Sequence, residues 1–230
     1  MNLLESVFIL TTLSIFVLST TSKDYDNTFK GDKGDKGDKG DIGPVGPAGP
    51  KSGGAVYTRW GRKSCPAGAE LVYEGLAAGG YYNYMGGGAD HVCLPAKDPQ
   101  NMKKPKPPDN SWIYGSEYQD VNSIFPDKHD HNVPCAVCYA PTRSTKLMIP
   151  SRTSCPSSWT MEYKGYLMTS HHTHKKNSLH ECVDDNPESI DESGANTDGA
   201  LFYFILSTCI SIPCPPYDAN EVVTCVVCTR

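Results

Sequence analysis

Hydrophobic and polar positions change their spacing twice along this 230-residue chain. Near the N-terminus, Val7 to Leu18 is an apolar run of about a dozen residues, followed by small polar ones. That length suits the core of a signal peptide better than a membrane span of about 20 residues, so residues 1–22 are read as a signal peptide, with a signal anchor as the alternative. Its leading segment is atypical, with Glu5 and no Lys or Arg. From residue 55 onward, short runs rich in β-branched and aromatic residues alternate with Gly, Pro, Asn and Asp clusters. They read AVYTRW, ELVY, HVCLP and VPCAVCYA, then TKLMIP, LFYFILS and EVVTCVVC. Runs so bounded predict strands. No helical period extends beyond three turns, so the expectation for this part is all-β.

Between these regions lies GDKGDKGDKGDIGPVGPAGPK, residues 31–51. Gly31, Gly34, Gly37, Gly40, Gly43, Gly46 and Gly49 keep a three-residue period without a miss. Strict glycine at every third position is the signature of a collagen triple helix, where only a hydrogen fits at the axis of three polyproline-II-like chains. A flexible Gly-rich linker has no reason to keep the period. Asp32, Asp35, Asp38 and Asp41 occupy X, while Lys33, Lys36 and Lys39 occupy Y. Such pairs bridge chains, at about 0–1 kcal/mol each when exposed. Pro44, Pro47 and Pro50 all fall in X, so the usual hydroxyproline stabilisation of Y is missing. The rod spans roughly 65 Å at a ~3.1 Å rise and is marginal, so another part of the chain must hold three copies together. The lysines in Y, with Lys51, are candidates for hydroxylation or cross-linking. The Lys-Gly-Asp triplets admit an integrin reading, but interchain pairing explains them more simply.

The chain beyond the rod is duplicated. Cysteines 65, 93, 135 and 138, shifted by 90, fall on 155, 183, 225 and 228, and only the second misses, by one residue, at Cys182. Ser64-Cys65-Pro66 aligns with Ser154-Cys155-Pro156, Tyr73-Glu74-Gly75 with Tyr163-Lys164-Gly165, and Trp112-Ile113-Tyr114 with Phe202-Tyr203-Phe204. Two copies of about 90 residues follow from this self-similarity. The predicted organisation is a signal peptide (1–22), a linker (23–30), the Gly-X-Y stretch (31–51), a hinge (52–54) and two β subdomains (55–144 and 145–230).

Each copy ends in C-x-x-C. Zinc or redox chemistry is one reading of that spacing, but strand-like flanks place positions i and i+3 on opposite faces, so each sulfur must pair elsewhere. Four cysteines permit 3 connectivities and six permit 15. Nested pairing is expected here: Cys65 with Cys138, Cys93 with Cys135, Cys155 with Cys228 and Cys182 with Cys225. Cys209 and Cys214, which have no counterpart in the first copy, would close a small loop. A secreted chain is where such bonds persist.

A signal peptide, a short collagenous rod and a duplicated Cys-rich head together resemble the spongin-type short-chain collagens. Their head is similar to the C-terminal non-collagenous domain of type IV collagen. The likeness rests on the two Ser-Cys-Pro motifs, the two C-x-x-C ends and the duplication. It implies a short triple helix joined to an all-β, disulfide-rich head of two tandem homologous subdomains. Such a head would select and trimerise chains in a ring of six subdomains and associate into a network. The first copy has four cysteines where the type IV half has six, and the rod is far shorter. Sheet-like basement-membrane assembly is therefore not implied.

The formal charge of −5 and the absence of nucleic-acid motifs argue against a polyanion partner. No HExxH, G-x-S-x-G or phosphate loop occurs, so no enzymatic activity and no cofactor are expected. Two loops differ in charge between the copies. Lys103, Lys104 and Lys106 mark the first, and Asp184, Asp185 and Asp191 the second. Opposed around a ring, they would set register between protomers. The acidic loop lacks the spacing of a calcium loop. His171, His172 and His174, like His129 and His131, read as exposed loop residues rather than metal ligands, and no metal is expected. The partners implied are further copies of the chain, as a homotrimer or a hexamer of heads, and other matrix components. No membrane span remains in the mature chain. Together these place the protein outside the cell as a structural component of extracellular matrix. The rival is a soluble collagenous lectin that gathers three heads on microbial ligands.

Overall fold

A computed structural model describes residues 31–43, 53–101, 107–120 and 124–230. The expected signal peptide, the linker, Gly46 and Gly49 lie outside the described residues. The chain divides into two units, Met1–Pro47 and Ala48–Arg230. In the first, residues 31–43 are exposed and carry no helix or strand.

The second unit is all-β, as the alternating runs predict. The first copy supplies β1 (Ala55–Trp60), β2 (Glu70–Gly79), β3 (Val92–Pro95), β4 (Tyr114–Tyr118) and β5 (Pro134–Ala140). The second supplies β6 (Lys146–Pro150), β7 (Thr160–Thr169), β8 (Glu181–Asp184), β9 (Ala200–Phe204) and β10 (Thr224–Thr229). Within each copy the same pairings recur. The antiparallel pairs β1–β5, β5–β2 and β2–β3 repeat as β6–β10, β10–β7 and β7–β8. Even the irregularities repeat: the β2–β5 register slips at Val72, and the β7–β10 register slips at Glu162, its counterpart.

The copies are not separate sheets. Two parallel pairings cross between them, β1 with β8 at Trp60–Val183 and β4 with β9 over Ser116–Tyr118 and Ala200–Phe202. With β2–β4 and β7–β9, these close a ring of seven strands in the order β7-β8-β1-β5-β2-β4-β9. Closure removes most exposed edges. The interior is filled by Trp60, Ala77, Tyr118, Cys135, Met168, Val183 and Phe202, one from each of the seven strands. A second cluster, including Tyr57, Ala136, Cys138, Tyr163, Leu167 and Val227, packs on the outer face, where β6 and β10 extend the sheet.

Five disulfides bind the head: Cys65–Cys138, Cys93–Cys135, Cys155–Cys228, Cys182–Cys225 and Cys209–Cys214. The pairs are nested in each copy, as expected among the connectivities the strand argument left open.

Gly75 and Gly165 occupy equivalent places where the short strand crosses the long one. A Cβ at Gly75 would lie 2.1 Å from the Leu94 carbonyl oxygen, and one at Gly165 1.7 Å from that of Val183. Backbone cannot move aside within a paired strand, so only hydrogen fits. Gly165→Ala should therefore cost more than about 4 kcal/mol, at the far end of single-substitution effects. Gly86→Ala, which meets open space, should stay within about 0.5 kcal/mol, and urea unfolding of the protein measures both.

Candidate functional site: the junction between the copies

Where the first copy meets the second, polar side chains converge on buried ground. The register slip in β7 turns Glu162 inward, as such slips re-aim a side chain. The Tyr57 hydroxyl donates to Glu162 Oε2 at 2.6 Å, and the Thr229 hydroxyl donates to Oε1. Tyr57 comes from β1 and Glu162 from β7, so this buried bond ties the copies across 105 residues of sequence. Burial, then the Glu162 carboxylate, push the Tyr57 phenol well above its ordinary range.

Next to it, Arg59 reaches Asp184. Its Nη2 lies 2.6 Å and its Nε 2.8 Å from Oδ2, and both side chains are largely buried. Arg59 also donates to the Ser64 carbonyl at 3.0 Å and lies 5.8 Å from the Tyr163 ring centroid. The Tyr163 hydroxyl completes the seam, its single proton shared between the Cys182 carbonyl at 2.9 Å and the Thr58 carbonyl at 3.1 Å, one in each copy. Toward solvent the pattern continues with Arg62–Glu188 and Lys63–Asp191, each at 3.4 Å. Exposed pairs of this kind add little, whereas Arg59–Asp184 is costly to break from one side.

On the far side, two loops clasp. Lys176 is buried, and its Nζ donates to the Gly86 and Gly87 carbonyls at 2.8 Å each. His174 packs its ring on Tyr82 at 4.7 Å and on Tyr203 at 5.4 Å, while His171 lies 4.9 Å from Tyr203. Below them His91 stacks on Phe202 at 4.1 Å and meets the edge of Trp60 at 6.2 Å.

Of the residues singled out from sequence, Asp184 and Asp191 belong to this junction, but their partners are Arg59 and Lys63. Asp185 pairs with Lys164 of its own copy at 3.6 Å. Lys103, Lys104 and Lys106 lie outside the described residues. Of the three clustered histidines, His171 and His174 are half-buried in the loop clasp, whereas His172 is exposed as expected. His129 sits 3.6 Å from Asp130, and His131 Nδ1 lies 3.0 Å from the His129 carbonyl. Among the described residues no three His, Cys, Asp or Glu side chains converge as metal ligands. Tyr57, Arg59, His91, Glu162 and Lys176 were not foreseen. For Tyr57, Arg59, His91 and Glu162 the one available signal was a charged or polar residue inside an otherwise strand-like run, as in AVYTRW and TMEYKGYLM; Lys176, in a polar loop, carried none.

No protein-family model matches the chain. The junction is built for adhesion: a carboxylate with two hydroxyl donors, a shielded ion pair and a lysine gripping carbonyls.

His91 makes the junction sensitive to acid. Burial lowers its pKa from 6.5 to about 4, with Asp90 acting weakly the other way. A base depressed in the folded state contributes its full stability above pH 6.5 and loses it as pH falls toward 4. The melting temperature should be flat above neutrality and decline across that window. His91→Met should flatten the decline, which differential scanning calorimetry would reveal. Glu162→Ala should cost about 2–3 kcal/mol at pH 7 by stranding the Tyr57 and Thr229 hydroxyls.

Proposed function

We propose that the protein is a secreted, trimeric short-chain collagen that serves as a structural component of extracellular matrix, with its head assembling the chains. The supporting observation is that equivalent residues of the two copies are unequally buried. Tyr57 is 3% exposed, whereas its counterpart in β6, Leu147, is 40% exposed. Glu162 is 8% exposed, whereas its counterpart at the same slip in β2, Val72, is 57% exposed. Along β3, Val92 is 40% exposed and Pro95 is exposed, while the matching β8 is covered by β1.

Each chain therefore carries one filled junction and the two halves of an unfilled one. The outer edge of β6 has no strand partner among the described residues, nor has that of β3. Setting β6 of one chain against β3 and β2 of the next would repeat the β1–β8 junction and place Leu147 on Val72. Both are apolar, as a contact between separate chains favours. Three chains joined in this manner make a ring of six copies.

The rod supports the same reading. A Cβ at Gly31, Gly34, Gly37, Gly40 or Gly43 would meet nothing within 4 Å in one chain. Packing within the chain gives no reason for the period, and packing among three chains does.

Sedimentation equilibrium of the secreted protein, with and without residues 23–51, tests this reading. A trimer is expected in both forms. Leu147→Glu should give a monomer in the form without the rod while keeping its melting temperature within a few degrees. A monomer in both unsubstituted forms overturns the proposal.

A further inference from the structure

Four tyrosines meet where the Gly-rich segment 79–88 lies against the start of β4. The Tyr81 ring is 4.8 Å from Tyr82, 4.8 Å from Tyr84 and 5.2 Å from Tyr114, and Tyr84 meets Tyr114 edge-on at 6.3 Å. A tight turn fixes this grouping, with the Tyr84 amide donating to the Tyr81 carbonyl at 3.1 Å. Tyr84 is 51% exposed. Ring packing alone does not call for hydroxyls, and a packed phenol ordinarily seeks a polar partner. Here the neighbouring groups are other phenols. Burial, then the Tyr84 hydroxyl, raise the pKa of Tyr114, and burial, then the Tyr82 hydroxyl, raise that of Tyr81. These phenols keep their protons at neutral pH, so an oxidant must remove a proton with each electron. All cysteines are in disulfides, and no thiol is present to scavenge a nearby radical.

We propose that Tyr84 and Tyr114 form a site of oxidative phenol coupling, where a peroxide and a haem peroxidase weld the Gly-rich segment to β4. Each phenol gives up one electron and its hydroxyl proton. The two radicals join through ring carbons ortho to oxygen, forming one carbon–carbon bond. Each joined carbon then loses its hydrogen as a proton, and each oxygen regains one, restoring two phenols. The peroxide accepts the two electrons and two protons and leaves as two waters. Tyr81, touching both rings, passes the oxidising equivalent between them. The weld stiffens the segment whose Gly86 and Gly87 carbonyls hold Lys176 of the second copy. It does not depend on the trimer reading.

The test treats the full secreted protein with hydrogen peroxide and a haem peroxidase, then reduces, alkylates and digests it with trypsin. The expected product is a peptide containing Tyr84 joined to one containing Tyr114 and lighter by two hydrogens, with dityrosine fluorescence. Oxidation of the exposed Met85 adds an oxygen and is told apart by mass. Tyr84→Phe should abolish the joined peptide and Tyr82→Phe should retain it. Coupling in urea after disulfide reduction should be slower by at least about tenfold, because preset geometry supplies the advantage. Absence of the joined peptide, its persistence in Tyr84→Phe, equal yield from the unfolded chain, or coupling only between chains would each overturn the proposal.

Discussion

Two half-cystines three residues apart on one strand cannot face the same way, and the head depends on that constraint. On β5, Cys135 points into the barrel and Cys138 onto the outer cluster. Cys93 meets the first and Cys65 the second, so one strand is stapled on both faces. β10 repeats the arrangement through Cys225 and Cys228. In the chain-entropy model each of these four bonds restrains the unfolded chain by about 4 kcal/mol, though nested bonds overlap in effect. With β5 and β10 so pinned, the bends that lead β2 and β7 from one neighbour to the next are held in place. Those bends carry the closure of the ring.

The strands, the duplication and the cysteine nest were legible because each leaves a local or periodic trace. Alternation marks a strand wherever one face is buried, and a shift of 90 exposes a repeat without any knowledge of contacts. The junction left no such trace. Pairing of β1 with β8 joins Trp60 to Val183, residues far apart whose spacing obeys no period. Charge was visible in the acidic loop, but its partner within the chain was not. Asp184 meets Arg59, a single charge inside a strand, selected by the crossing of β1 over the second copy. Glu162 was hidden for a similar reason. A slip of one residue turned it from the solvent face to the buried one, and the sequence of β7 alone does not say where the slip falls.

In the proposed assembly a duplicated chain has two junctions to make, and its side chains treat them differently. Inside the chain the contact is polar at its centre, with Tyr57 and Thr229 on Glu162 and Arg59 on Asp184. These groups never separate while the head is folded, so desolvating them is a cost met once, at folding, and offset by the bonds they make. A buried charged pair is a poor choice for a contact that forms from free partners, because both must shed water at the moment of meeting. The counterparts Leu147 and Val72 carry no such burden. They expose apolar surface on the lone chain and gain when it is covered.

That asymmetry also bears on fidelity. If both junctions had been polar in the same way, β1 and β6 would compete for the same receiving surface, and a strand from one chain could displace its homologue in another. Leu147 cannot satisfy Glu162 or Thr229, and Ile149, the counterpart of Arg59, cannot pair with Asp184. Tyr57 would in turn leave its hydroxyl without an acceptor over Val72. Each wrong exchange strands a buried polar group, at about 1–3 kcal/mol for a neutral group and more for a charged one. The divergence of two once-equal copies thus separates contacts that hold a chain together from those proposed to join chains.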